Sequence, residues 1–143
     1  MRYRILSHLS AAAFGLVLFG ILSLVYEQGP IEKYSRVVYP PQVRGGETLT
    51  ITSTVVRTKE CTSVVVRRFI DASGRSVDFA AFDAPVLAAG TERFEAKVVV
   101  PEGMVPGPLV YQVKVNFRCN PIQELFGGTW FVLPDVHLEY LPP

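Results

Sequence analysis

The sequence predicts an all-β domain carried on one N-terminal transmembrane helix, and three observations carry that expectation. From Ile5 to Tyr26 the chain runs about 22 residues without Lys, Arg, Asp or Glu, which as a helix is long enough to cross a bilayer core. After Glu27 the apolar residues alternate with polar ones, the period of a half-buried strand. Gly- and Pro-bearing turns separate these short runs, and the two cysteines, Cys61 and Cys119, both stand in this second part.

The apolar run comes first. Arg2 and Arg4 precede it, whereas Glu27, Glu32 and Lys33 are the first charges after it. The positive-inside rule then keeps residues 1–4 in the cytoplasm, makes 5–26 a signal anchor and exports the rest. A cleaved signal peptide shares the basic start. This run is longer than the usual apolar region of such a peptide, and its end, Leu24-Val25-Tyr26-Glu27-Gln28, offers no small-x-small cleavage site. A buried core helix would need neighbouring helices to cover a segment apolar all round, and the chain offers none. Ser7, His8 and Ser10 fall near the cytoplasmic interface, and Gly15 and Gly20 add a small-residue surface for helix packing.

Residues 27–34 read as a juxtamembrane linker, opened by Gly29-Pro30, and 35–143 as the exported domain. Arg36 to Tyr39 reads as a strand closed by Pro40-Pro41, and Arg44-Gly45-Gly46-Glu47 as a turn. Thr48 to Arg57 alternates Leu49, Ile51, Ser53 and Val55 with a threonine face, as a half-exposed strand does. Thr62 to Asp71 and Ser76 to Phe82 flank the turn Ala72-Ser73-Gly74-Arg75. Arg93 to Val100 alternates through Phe94, Ala96 and Val98, and Gly103, Pro106 and Gly107 break the chain before the cleanest strand, Leu109 to Cys119. There Tyr111, Val113, Val115 and Phe117 face one way and Gln112, Lys114, Asn116 and Arg118 the other. Thr129 to Leu133 and Val136 to Tyr140 follow, parted by Pro134, and no helix signature appears after the anchor.

Seven or eight short strands in a domain of this size indicate an antiparallel β-sandwich. At fold level the region Ser35 to Tyr140 resembles the immunoglobulin-like or fibronectin type III sandwiches. Its details differ from antibody domains: Cys61 opens the third strand, Trp130 stands near the end, and Tyr111 lies eight residues before Cys119.

An even cysteine count in an exported domain predicts a Cys61–Cys119 disulfide. Closing a loop of nearly 60 residues, it is worth roughly 4 kcal/mol. With both cysteines facing the core, strict alternation sends Ser63, Val65, Arg67 and Phe69 inward; a β-bulge near Thr62 or Ser63 would instead turn Val64, Val66, Arg68 and Ile70 inward. Either arrangement brings an arginine to the interior or the rim, where a carboxylate or solvent is expected to meet it.

With 14 basic and 13 acidic residues, the charge balance gives no footing for nucleic-acid binding. No nucleophile elbow, zinc-protease, Walker or dinucleotide motif occurs, so no catalytic residue, cofactor or metal is expected. Asp71, Asp78 and Asp83 could in principle supply a carboxylate pair for glycoside hydrolysis, but all sit on or beside turns, where Asp is expected for local hydrogen bonding. The segment after Cys119 is more informative: Ile122, Leu125 and Phe126 are bulky apolar residues in a connection pinned by the disulfide. They either cap the end of the core or form a binding loop. The functional expectation is a non-catalytic, membrane-anchored binding or assembly module with a protein partner. In layout it resembles small envelope proteins of bacteria or their phages, which implies an exclusion or inhibitor role. The alternatives are an accessory subunit docked through its anchor helix and an envelope hydrolase.

Overall fold

The computed structural model describes the backbone of residues 2–25 and 29–142, with side chains from Ala13 onward except at 26–28. The side chains of Arg2, Arg4, Ser7, His8 and Ser10, the residues Glu27 and Gln28 of the expected linker, and Pro143 lie outside the described residues. Helix α1, Arg2–Val25, contains most of the apolar run. From Ala13 to Leu24 its side chains are exposed on every face. Among the described residues no helix is long and apolar enough to cross a membrane; Ala13–Val25 falls short of the roughly 20 residues such a span needs.

The remainder is mostly β. Its strands are β1 Ile31–Tyr39, β2 Gln42–Val43, β3 Thr48–Arg57, β4 Thr62–Ile70, β5 Ser76–Asp78, β6 Phe82–Ala84, β7 Gly90–Val99, β8 Gly107–Arg118, β9 Thr129–Val132 and β10 Val136–Tyr140, with a short helix α2, Pro121–Phe126, between β8 and β9. One sheet has the order β1-β3-β7. The other has the order β2-β10-β8-β4-β5, with β6 continuing along β4 and β9 along β8. Neighbouring strands are antiparallel except β2 and β10, which pair in parallel. The result is a β-sandwich.

Side-chain parity fixes what lies between the sheets, because a strand presents alternate residues to one face. On β3, Leu49, Ile51, Ser53 and Val55 point inward; on β8, Leu109, Tyr111, Val113, Val115 and Phe117 do; and β10 buries Val136, Leu138 and Tyr140 while exposing His137 and Glu139. These are the faces the alternation predicts. Phe69 anchors the centre, its ring 4.9 Å from that of Tyr111 and 5.8 Å from that of Phe79.

Three expectations are corrected. The strand count rises to ten, because Gln42–Val43 forms a strand of its own and the run Ser76 to Phe82 divides. Arg68 faces Asp78 but Val65 faces Phe82, so the second strand carries one more residue than β4 and the ladder breaks between β5 and β6. The first strand begins at Ile31, so the second half of the expected linker belongs to β1 beside β3, and after Pro40-Pro41 the chain crosses to the other sheet as β2. Helix α2 was not anticipated. Its signals are present: Asn120 caps it by accepting from the Gln123 amide at 2.8 Å, Pro121 opens it, and Gly127 closes it at φ 89°.

Candidate functional site

The β4–β8 ladder runs in register from Thr62–Arg118 to Ile70–Val110 without a bulge. This register places Cys61 and Cys119 one step beyond its end, on neighbouring strands of one sheet. They form a disulfide with Cα atoms 4.4 Å apart, close to the spacing of directly opposed antiparallel residues. The bridge therefore clamps an end of one sheet rather than joining the two.

The clamp holds the base of α2. Gln123 is buried there: its Oε1 accepts from the Cys119 amide at 2.8 Å and its Nε2 lies 3.2 Å from the Thr129 hydroxyl. Asn116, also buried, donates to the Gly127 carbonyl at 2.7 Å. The Asn120 side chain reaches the Leu24 carbonyl at 3.1 Å, fastening α2 to the C-terminal end of α1. Of the predicted residues, Ile122 is half-buried, while Leu125 and Phe126 are 83% and 67% exposed. Leu125 and Phe126 therefore do not cap the core; Gln123 occupies the buried position of this helix. Trp130 and Val132 on β9 are also exposed.

Asp71 is a turn clamp. It is buried, and its Oδ1 accepts from the Ser73 hydroxyl at 2.6 Å, the Ser73 amide at 3.0 Å and the Arg75 amide at 3.1 Å. Its Oδ2 accepts from the Val105 amide at 3.1 Å and lies 3.3 Å from Arg75 Nε. The Ser73 hydroxyl, helped by the backbone donors and opposed by burial, holds its carboxyl down at about 2. All its acceptor capacity goes to locking β4–β5 against the Val105 connection. Asp78 and Asp83 stand exposed on β5 and β6. Among the described residues no group of His, Cys, Asp or Glu side chains is placed to hold a metal ion.

A second feature escaped the sequence reading. Strict alternation points Arg67 of β4 inward, but no carboxylate meets it. Its guanidinium lies 5.5 Å from the Phe79 ring centroid and 4.8 Å from that of Phe82, a cation–π arrangement. Arg68, on the opposite face, donates instead to Gln112 Oε1 at 2.8 Å. Across the sandwich Tyr34 and Ser53 share a hydrogen bond of 3.1 Å, and Arg36 donates to the Tyr34 hydroxyl at 2.5 Å. Burial pushes the Tyr111 hydroxyl up, against the opposing charge and hydrogen bond of Arg67.

These groups line a cavity of about 370 Å³ between the sheets. Its walls are mainly apolar, with Ile51, Val55, Val65, Val113 and Val115 among them. It occupies the end of the sandwich nearest α1, where Ile31, Arg57, Ser63 and Phe117 also line it. Here β7 and the segment from Phe82 to Leu87 do not close over each other, and Phe94, though on the inward face, is 40% exposed. Only the pairing of Arg67 with Val113, together with the three-stranded sheet opposite, brings these arginines to one space. The single local signal was the arginine at an inward parity position.

No known protein family matches this chain, and no curated protein does. Solved structures share its outline only. The alkylpurine DNA glycosylase of Pseudomonas fluorescens, bound to DNA containing an abasic site analog, is 14% identical with a TM-score of 0.49; the match covers 85% of this chain and 33% of that one. The sporulation control protein of Bacillus subtilis is 13% identical with a TM-score of 0.47, over 81% of this chain and 51% of that one. A β-glucosidase of Erythrobacter marinus is 9% identical with a TM-score of 0.49, over 76% and 15%. The chain thus spans from about a seventh to half of the length of these proteins.

Proposed function

We propose that this protein is a single-pass membrane protein whose segment 5–26 anchors an exported, immunoglobulin-like β-sandwich, and that the sandwich is a non-catalytic module binding a protein partner. The apolar run behind Arg2 and Arg4 supports the orientation, and the disulfide fits an oxidising compartment such as a periplasm. One observation carries the binding role: Leu125 and Phe126 project from a helix that is capped, clamped and tied to α1, so two large apolar side chains are held rigidly in the open. Such residues on a fixed scaffold are the usual makings of a contact hot spot.

The test is capture of the full-length protein from its native membrane after gentle solubilisation, beside the Phe126→Asp variant. A partner recovered by the first and lost by the second is the expected result. Recovery of no partner by either would overturn the reading. A partner held equally by both would transfer the contact to α1 and favour an accessory subunit. For that alternative the specific observation is the open space around Gly15 and Gly20, where an added Cβ meets nothing within 4 Å.

A further inference from the structure

Arg57 Nε and Arg67 Nε are buried and have no hydrogen-bond partner. Buried donors are almost always paired and an unpaired one is costly; both side chains are otherwise half-buried, and Arg67 also meets the Tyr111 hydroxyl. Both residues line the cavity between the sheets, as does Arg36; the only carboxylate among its lining residues is that of Glu92. The space is therefore apolar along its walls and cationic at its polar groups. Its volume of about 370 Å³ lies within the range of small-molecule pockets. At about 30 Å³ for each water-sized group it admits roughly a dozen non-hydrogen atoms.

We infer that this cavity binds an amphipathic anion, a carboxylate or phosphate head on an aliphatic body, with the head paired to Arg67 and the body lying along Val55, Val65 and Val115. Each part of that chemistry answers a feature of the site. A neutral hydrocarbon would leave the buried Arg67 Nε unpaired, and a small inorganic anion would leave the apolar walls unfilled. A cationic amphiphile would meet like charge. The Tyr34, Ser53 and Tyr111 hydroxyls supply further hydrogen-bonding groups beside the head. The gap between β7 and the segment from Phe82 to Leu87 gives a ligand its way in, from solution as a free fatty acid or from a lipid surface as a lipid phosphate.

The experiment uses the full chain in nanodiscs of neutral phosphatidylcholine and measures binding by calorimetry. The probes are decanoate, octyl phosphate, decanol, decyltrimethylammonium and acetate. Decanoate or octyl phosphate is expected to bind at least about tenfold more tightly than decanol or the cation, with no binding of acetate. Preference for decanoate identifies a free acid, and preference for octyl phosphate a lipid phosphate; either supports the inference. Arg67→Met should weaken the anion at least about tenfold while leaving decanol unchanged. Because Arg67 also packs on Phe79 and Phe82, a second variant guards against misfolding. Ala96→Phe, projecting into the cavity from β7, should abolish binding while the thermal midpoint holds or rises. Equal binding of decanoate and decanol, undiminished binding to Ala96→Phe, or no binding of either anion would overturn the inference. None of these results depends on a protein partner at α2, so the two ideas fail separately.

Discussion

Opening the Cys61–Cys119 bridge should cost about 4 kcal/mol, and the structure says where that energy resides. The bond separates residues 58 apart in sequence, and the loop-closure relation gives about 4 kcal/mol for a loop of that length. In the folded state the two cysteines are already brought together by the Thr62–Arg118 end of the β4–β8 ladder. Removing the bond therefore deletes a constraint on the unfolded chain and little from the native packing. The perturbation is Cys61→Ala with Cys119→Ala, and the assay is urea unfolding followed by circular dichroism, beside wild type with and without reductant. At a typical slope of about 2 kcal/mol per molar, the midpoint should fall by roughly 2 M. The native spectrum should stay unchanged, and either single variant in reductant should match the double variant to within about 0.5 kcal/mol. Identical midpoints for oxidised and reduced wild type would refute the reasoning. A collapsed native spectrum would also refute it, since it would place the bond's contribution in the fold itself.

Asp71→Asn should lower stability in a pH-dependent way. Its carboxyl is held at about 2 against the usual 3.8, so the ionised form stabilises the fold above pH 3.8 and that contribution is lost as pH falls through about 2. The difference in urea midpoint between wild type and variant should be constant near neutrality and close between pH 4 and pH 2; a gap unchanged at pH 2 would contradict it. Gly128→Ala should cost at least about 2 kcal/mol, because Gly128 has φ 74° and an added Cβ would lie 2.5 Å from Asn116 Oδ1 and 2.6 Å from the Phe117 carbonyl. A urea midpoint equal to wild type would mean that this contact is not close. Asn120→Ala removes the cap of α2 and should cost about 1 kcal/mol, read as roughly fivefold faster hydrogen exchange at the Gln123 amide with exchange in β3 unchanged.

The inward faces of β3, β8 and β10 were legible because alternation is local: each residue's side is set by its neighbours along the strand. Helix α2 was not legible in this way: Asn120-Pro121 and Gly127-Gly128 bound it, but six residues are too few to show a helical period between them. Leu125 and Phe126 could be singled out from sequence, whereas their exposure depended on Gln123 taking the buried position.

By itself the sequence determined the apolar run of α1, the sides to which most strand residues point and the one way two cysteines can pair within a chain. Only the tertiary structure decided that β1 and β2 belong to different sheets, that Arg67 meets aromatic rings instead of a carboxylate, and that three arginines line one cavity between the sheets. The physical reason is range. Side-chain parity is written in adjacent residues, whereas sheet membership and the space between sheets depend on partners far apart in sequence, such as Arg67 with Val113 and Arg36 with Ser53.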